Sequence, residues 1–250
     1  MLNPLALKLE RLCGLKPDEG EALRFGQTSF VPARQDIFSD GETVSHAKLI
    51  LNGIACHYKS LSDGRRAITA ILLPGDFTNH QMPDRQKLDF GVGALTPCKV
   101  VDVPLAAWRR PGMGGVALPE ALFLCLMADI SIQRAWLANI SQRAADKRLA
   151  HLLCELRHRL AMVGLVEGDS FHLPLIQQDL ADALGLSVVH VNRVLQHIRG
   201  LGLVRTRDRS ILIRDLKRLE EFAGFDPAYL RVGGSLEPAT NLPGVAELPN

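Results

Sequence analysis

The sequence contains few cysteines, and they form no recognisable pattern. The five residues are odd in number and widely separated, with no Cys-x-x-Cys pair among them: Cys13, Cys56, Cys98, Cys125 and Cys154. This spacing argues against a disulfide framework and against a local zinc or iron–sulfur site built from thiolates. We therefore predict buried, apolar cysteines in a reducing compartment, and neither a metal nor a cofactor.

Long apolar stretches are also absent. The longest runs, such as Ala121 to Ala128, are far shorter than the roughly 20 residues that a membrane helix needs. The first residues, Met1 to Pro4, lack the basic start and apolar core of a signal peptide. We expect a cytoplasmic protein that has no membrane partner.

Enzyme motifs are missing as well. There is no Gly-x-Ser-x-Gly, no His-Glu-x-x-His and no glycine-rich phosphate loop before a helix. The chain has 250 residues, of which 47% are apolar, and a net charge of +2. This composition is typical of a globular protein of one or two domains, and the charge alone indicates no partner. We predict that the protein is not an enzyme.

The N-terminal part of the sequence combines a short helix with a β domain. Leucines spaced by three and four residues predict an amphipathic helix before Gly14: Leu2, Leu5, Leu9 and Leu12. From Ala22 to Pro104, short apolar runs alternate with turn residues, which is typical of an antiparallel β domain. The pairs Asn52-Gly53 and Asp63-Gly64 predict hairpin turns, because both tolerate positive φ.

Between Leu118 and about Ala145 the apolar period becomes that of a long helix. One stripe repeats every three or four residues over about three heptads: Phe123, Leu126, Ile130, Gln133, Leu137, Ile140 and Ala144. Such a stripe could simply cover the neighbouring sheet. Its regular heptad period and the polar Gln133 in its middle favour a coiled coil, so we predict a parallel homodimer along this seam.

Residues 177–196 have the layout of a helix-turn-helix unit. Ala181 falls where the first helix approaches the second, Gly185 falls in the turn, and Ser187 follows as the N-cap of the second helix. Two short apolar segments then flank a charged turn at 207–209. We therefore predict a winged helix in the C-terminal part of the chain.

This winged helix is basic although the whole chain is nearly neutral. Residues Phe171 to Arg218 include eight arginines or lysines and four aspartates, a net charge of +4. The polar face of the second helix and the wing carry donors and cations that suit base edges and phosphates. We predict that DNA is contacted by Gln177, Gln178, Ser187, Val188, Val189, His190, Asn192, Arg193, Gln196, Arg207 and Arg209.

The β domain, the long helix and the winged helix together resemble the CRP/FNR family of bacterial transcription regulators. Leu51-Asn52-Gly53-Ile54 and Leu73-Pro74-Gly75-Asp76-Phe77 resemble the family's β-roll pattern, and Gly185 to Arg193 resembles its recognition element. The resemblance implies an α+β fold in four parts: an N-terminal antiparallel β-roll of the cyclic-nucleotide-binding type that acts as a sensor (1–118), a dimerisation helix (119–145), a winged helix-turn-helix DNA-binding domain (146–231) and a flexible tail (232–250).

The resemblance also implies a function and its partners. We expect a homodimeric transcription regulator that binds double-stranded DNA and RNA polymerase. Arg193 matches the family's DNA-contacting arginine, but Val189 stands where the family has its recognition glutamate. The family's operator half-site is therefore not expected here, although the symmetry of a dimer still predicts a two-fold site.

The sensor domain departs from the cyclic-nucleotide-binding members of that family. In those members, the Gly-Asp-Phe turn leads to a Gly-Glu pair for the ribose and to an Arg-Ser or Arg-Thr pair for the phosphate. Asn79-His80 and Leu88-Asp89 take these places here. An anionic phosphodiester would lack donors and meet an added carboxylate, so we do not expect cyclic AMP, even though Arg85 and Lys87 lie nearby.

Three alternatives remain open at this point. A haem sensor could use His46, His57 or His80 as an axial ligand, although single histidines in a β domain are usually structural. One helix face carries possible metal ligands that core packing explains equally well: His151, Cys154, Glu155 and His158. The protein could also bind a small molecule or act as a scaffold, with a helix-turn-helix that makes protein contacts only.

Overall fold

A computed structural model describes residues 3–13, 26–80, 87–104 and 118–230. The predicted tail at 232–250, Arg85 and Leu2 of the predicted N-terminal helix lie outside these ranges. No helix among the described residues is both long and apolar enough to cross a bilayer.

The N-terminal domain is a β-roll preceded by helix α1 (Pro4–Cys13). The predicted amphipathic helix is confirmed, because Leu5, Leu9 and Leu12 are buried on one face. Within the described residues, seven strands follow and pair antiparallel: β1 (Thr28–Val31), β2 (Asp36–Phe38), β3 (His46–Asn52), β4 (Ala55–Ser60), β5 (Arg66–Leu72), β6 (Gly91–Ala94) and β7 (Cys98–Pro104).

The strands form two sheets, in the orders β1-β7-β3 and β2-β6-β4-β5. Asp63-Gly64 closes the β4–β5 hairpin as predicted. The prediction of a second hairpin at Asn52-Gly53 is wrong, because β3 and β4 lie in different sheets and β3 pairs with β7. An Asn-Gly pair favours positive φ at a turn, but it does not determine which strand accepts the hydrogen bonds.

Two long helices connect the β-roll to the C-terminal domain. Helix α2 (Leu118–Gln142) ends before the predicted limit, and α3 (Ala145–Met162) begins almost at once. Ala144 is the N-cap residue of α3 and has extended backbone angles. It therefore lies outside α2 and does not continue the seam, contrary to the sequence prediction.

The C-terminal domain is a winged helix whose helices and strands are β8 (Val166–Glu167), β9 (Ser170–His172), α4 (Gln177–Leu184), α5 (Val188–Gly200), β10 (Arg205–Arg207), β11 (Ser210–Leu212) and α6 (Leu216–Ala223). A 3₁₀ turn follows at Pro227–Leu230. The sheet order is β10-β11-β9-β8, so the two predicted wing strands belong to a four-stranded sheet. The predicted α+β architecture is confirmed, although β8 and β9 were not anticipated.

The β-roll and the winged helix share one apolar core. Its buried side chains include Ile71 of β5, Trp136 of α2, Leu152 of α3 and Val191 of α5. A second core, which includes Ile50 and Val100, lies between the two sheets of the roll. The winged helix therefore packs directly against the β-roll and is not joined to it by the chain alone.

Candidate DNA interface and cavity of the β-roll

The turn between α4 and α5 has the geometry of a helix-turn-helix. Gly185 ends α4 with a φ of 64°, a left-handed conformation that residues with a Cβ disfavour. The hydroxyl of Ser187 accepts a hydrogen bond from the backbone N–H of His190 at 3.2 Å and so caps α5. The apolar side chains around this turn are buried: Leu180, Ala181, Leu184, Val191 and Val194. The predicted motif is confirmed.

Most of the predicted contacts on α5 lie on one exposed side, which we call the outer face of α5 and define as Val189, His190, Asn192, Arg193 and Gln196. Val189 is 71% exposed, which is unusual for so apolar a side chain. Val188 differs from this group, because it is half-buried and packs against the core. The outer face thus presents amide, imidazole and guanidinium groups together with one exposed valine.

The wing carries the second set of predicted contacts. Asp208 and Arg209 at its tip have φ values of 47° and 61°, which is the tight turn that matches the twist of a hairpin. Arg207 and Arg209 are both exposed. Arg207 donates from Nε to Asp208 at 3.2 Å, but both of these side chains lie in solvent. Such a pair is weak enough to exchange for a phosphate.

Two further arginines lie between the outer face of α5 and the wing. Arg199 and Arg205 line an open cleft together with Gln196 and Thr206. Both arginines contribute to the basic charge of the domain, but neither is among the contacts predicted from the sequence. Only the fold shows that the end of α5 and the start of β10 place them side by side.

The two glutamines at the start of α4 that are predicted to contact DNA are less available for binding than the residues of the outer face of α5. Gln178 is exposed, but its Nε2 donates to Asp182 Oδ1 at 2.6 Å. Gln177 is half-buried. Both residues nevertheless lie in the first turn of α4, where backbone N–H groups that lack partners within the helix favour an anion.

Helix α2 has two apolar faces, and only one is buried in the protomer. The buried face packs within the chain through Leu124, Cys125, Ala128, Ile132 and Trp136. On the predicted seam, Phe123 is 60% exposed, Leu137 is 71% exposed and Ile140 is 40% exposed. Gln133 is exposed, and Leu126 and Ile130 are half-buried. Phe123, Leu137 and Ile140 therefore do not cover the β domain, whereas Leu126, Ile130 and Gln133 line the space between α2 and the β-roll.

A cavity of about 440 Å³ lies between the β-roll and α2. Its most notable polar contact joins His80 of the roll to Asp129 of α2, with Nε2 and Oδ2 2.7 Å apart. Burial opposes the charge on Asp129, but the hydrogen bond from His80 and the nearby cations Lys8 and Arg159 lower its pKa to about 2. The cavity thus contains a carboxylate that remains ionised.

The predicted departures from a nucleotide site are visible around this cavity. Asn79 is 1% exposed and lines the cavity, yet its side-chain oxygen and nitrogen have no hydrogen-bond partner. Leu88 is buried in the core of the roll, and the exposed Asp89 lies 3.6 Å from Lys59. Neither Leu88 nor Asp89 has a side-chain donor for a phosphate.

The arginine in the cavity wall is already engaged. Arg159 donates to the backbone oxygen of Ile71 at 2.7 Å, to Asp76 at 2.8 Å and to Glu155 at 3.1 Å. His57 also has a partner, because its Nε2 lies 2.8 Å from the backbone oxygen of Thr78. Burial lowers the pKa of His57. Neither side chain is free for a ligand.

The possible metal face on α3 is occupied by packing and hydrogen bonds. His151 stacks on Tyr229, Cys154 is buried, and His158 Nε2 lies 2.6 Å from Glu220. Glu155 accepts hydrogen bonds from Trp136 Nε1 at 3.0 Å and from the hydroxyl of Tyr229 at 2.9 Å. Within the described ranges, no group of three or more His, Cys, Asp or Glu side chains could hold a metal ion.

Comparison with known proteins finds similarity in both domains. Residues 28–110 match the family model of the cyclic nucleotide-binding domain, and residues 147–222 match that of the Crp-like helix-turn-helix domain. The two matches correspond to the β-roll and to the C-terminal domain.

Curated relatives match along most of the chain. The transcriptional activatory protein AadR of Rhodopseudomonas palustris is 30% identical over 222 residues, which cover 85% of this chain and 88% of that protein. The transcriptional activator protein FnrL of Cereibacter sphaeroides is 27% identical over 203 residues, which cover 78% and 79%. The solved structure of FixK2 from Bradyrhizobium japonicum has a similar fold, with a TM-score of 0.68 at 22% identity over 84% of this chain and 98% of that one.

Proposed function

The chain belongs to the CRP/FNR family of transcription regulators, and from this membership we propose that it binds a two-fold operator as a homodimer and regulates transcription there. The observation that carries the proposal is the exposed outer face of α5 beside the basic wing. In this geometry α5 enters the major groove while the wing lies along the backbone. The protein would act in the cytoplasm, together with RNA polymerase.

The two surfaces have different roles in DNA binding. Arg193 and Asn192 lie on the outer face of α5, where a guanidinium can bind guanine and an amide can bind adenine through paired hydrogen bonds. The exposed Val189 suits a thymine methyl group. Arg207 and Arg209 of the wing, with Arg199 and Arg205 in the cleft, suit phosphates, which carry affinity without sequence information.

The proposed dimer is supported by the exposed seam of α2. Phe123, Leu137 and Ile140 present an apolar stripe to solvent on a helix whose opposite face is already packed. A second copy that is related by a two-fold axis would cover this stripe. The same symmetry would place two α5 helices on one face of the duplex.

The β-roll is proposed to act as a sensor that does not accept cyclic AMP. The cavity has a carboxylate at Asp129, and the guanidinium of Arg159 is bound by protein groups. An effector would regulate DNA binding through a difference in affinity for two arrangements of the α2–α3 junction. Thermal unfolding with millimolar cyclic AMP tests this point: we expect no stabilisation, whereas a clear rise in Tm would overturn it.

The experiment that tests the main proposal is selection from a random double-stranded DNA library with the purified protein and no added ligand. We expect an enriched two-fold motif whose half-site centres are about one helical turn apart. If the folded protein enriches no motif even when a cell extract supplies possible effectors, the proposal is wrong. Binding of a protein partner through the outer face of α5 would then support the scaffold alternative.

A further inference from the structure

Two arginines of the β-roll contact the first helix of the helix-turn-helix directly. The guanidinium of Arg34 forms paired hydrogen bonds with the carboxylate of Asp179, with Nη1–Oδ1 at 2.5 Å and Nη2–Oδ2 at 2.9 Å. Arg66 of β5 contacts Asp179 at 3.2 Å and Asp182 at 3.0 Å. We call these four side chains the α4 clamp. Each arginine is separated from its aspartate partners by more than a hundred residues in sequence.

From this geometry we infer that the α4 clamp positions the helix-turn-helix on the β-roll and so sets the spacing at which the dimer binds DNA. Arg34 and Arg66 are thus positioning residues, and this inference rests on the proposed DNA-binding function. Paired arginine–carboxylate contacts suit such a role, because two parallel hydrogen bonds fix orientation as well as distance.

The clamp is built into ordered structure at both ends. Arg34 has a φ of 69°, a conformation that is rare for a residue with a side chain. Its backbone N–H donates to Ala94 of β6 at 2.7 Å, which holds the loop to the sheet. Asp179 also accepts a hydrogen bond from the backbone N–H of Ile176 at 3.1 Å, at the start of α4. A change in the roll would therefore reach α4 through short, stiff contacts.

The buried position of Asp179 makes its carboxylate dependent on the two arginines. The side chain of Asp179 is fully buried, and a buried carboxylate is tolerated only when several donors compensate it. Rotation of the winged helix away from the roll would remove the guanidinium donors and leave the backbone N–H of Ile176 as the remaining partner. Separation of α4 from the β-roll would therefore require water to replace both guanidinium groups at this carboxylate.

The position of α4 determines that of α5. The two helices are joined by the short turn at Gly185 and share a buried interface, so they move together. Helix α5 carries the outer face that is proposed to enter the major groove. Because a dimer binds two half-sites at a fixed spacing, a small rotation of α4 in each protomer would change that spacing.

The clamp also neutralises a carboxylate of α4 that lies beside a predicted DNA contact. Asp182 accepts a hydrogen bond from Gln178, which is one of the predicted DNA contacts. In the clamp, Arg66 neutralises this carboxylate. Without the arginine, a carboxylate would lie next to the approaching phosphates and repel them.

The test uses a variant of the full chain that removes the clamp without changing net charge: Arg34→Gln, Arg66→Gln, Asp179→Asn and Asp182→Asn. The matched control is Asp63→Asn with Arg65→Gln, which removes an exposed ion pair from the neighbouring hairpin. Affinity is measured for the selected operator and for operators whose half-sites are moved by one base pair in either direction. Circular dichroism and thermal unfolding establish that each variant is folded.

We expect the clamp variant to bind the selected operator about fivefold or more weakly and to lose its preference among the three spacings. The control should behave as wild type. Unchanged binding, or an equal loss at all spacings, would overturn the inference. Should the fourfold variant not fold, the pair Arg66→Gln with Asp182→Asn provides the test, because these side chains are 30% and 11% exposed and the fully buried Asp179 keeps its charge and its contact with Arg34. Failure of the wild-type protein to select any operator would instead refute the proposed function.

Discussion

The guanidinium of Arg159 and the carboxylate of Asp76 form a buried ion pair at 2.8 Å, which joins α3 to the turn that follows β5. Asp76 also binds the ammonium group of Lys8 from α1 at 2.6 Å, and Arg159 also binds Glu155 at 3.1 Å. Two cations and two carboxylates from three parts of the chain thus compensate one another in the interior. This cluster connects α1 and the β-roll to α3.

Removing the central cation should destabilise the whole protein. Arg159→Met leaves Asp76 and Glu155 buried with one nearby cation, and breaking a buried pair in this way costs about 3–5 kcal/mol. The free energy of unfolding in urea measures the effect. Lys147→Met, an exposed change on the same helix, is the control and should cost less than about 0.5 kcal/mol. Equal stability of the two variants would show that the cluster contributes little.

A charged substitution on the seam of α2 should dissociate the proposed dimer into monomers without unfolding the protein. Leu137→Glu places a charge on the exposed stripe. In the proposed dimer, each protomer then loses one leucine that the interface would bury. The loss of about 3 kcal/mol or more weakens the dimer roughly 100-fold. Sedimentation velocity should then detect monomers, whereas Ala138→Glu, an exposed change next to the seam, should leave the dimer intact. If both variants remain dimeric, the interface lies elsewhere.

The outer face of α5 and the wing should respond differently to alanine. Arg193→Ala is expected to cost about 1–3 kcal/mol at one base pair of each half-site and to relax the preference there. Arg207→Ala and Arg209→Ala should weaken all sequences alike and reduce the dependence of affinity on salt. Competition assays with operators changed at single positions distinguish the two effects. An unaltered base preference in Arg193→Ala would mean that this arginine contacts phosphate instead.

Acid should destabilise the protein through His151. Burial lowers the pKa of His151 to about 4, against an ordinary value of 6.5. Between these two values the unfolded chain binds a proton that the folded protein does not, so the free energy of unfolding falls as the pH is lowered. The loss reaches up to about 3 kcal/mol near pH 4. The buried His57 acts in the same direction, because its pKa is also lowered.

The variant that tests this acid sensitivity is His151→Phe, which keeps an aromatic ring against Phe225 and Tyr229. Its free energy of unfolding should change less between pH 6.5 and pH 4 than that of wild type. The exposed His172→Phe serves as a control and should retain the wild-type slope. A slope that is equal in all three proteins would exclude His151 as a source of the acid sensitivity.

The helix-turn-helix could be predicted because its determinants are local. Gly185 and Ser187 specify the turn and the cap, and the buried residues around them follow helical spacing. Strand β6 was harder to find, because its sequence Gly-Val-Gly-Ala has weak strand propensity. Only the fold gives the reason for Gly91: a Cβ there would lie 2.3 Å from the ring of Tyr58 on the neighbouring strand.

The contacts that connect the domains could not be found from sequence. Arg34 and Asp179 are 145 positions apart, and Arg159 and Asp76 are 83 apart, so no periodic pattern relates them. Each residue taken alone is typical of a solvated surface. Their pairing depends on how the two domains pack, and that packing is set by side chains from many separate segments.

The 3₁₀ turn at Pro227–Leu230 gives the winged helix a second point of attachment. Leu230 is buried and lines a small pocket with Ala128 and Ile132 of α2, and Tyr229 binds Glu155. The other attachments are the peptide chain between α2 and α3, the apolar core shared with the β-roll and the α4 clamp. A domain that is held at several separated points can change its position only if all of these contacts change together. A shift of the winged helix relative to the β-roll would thus be all-or-none rather than gradual.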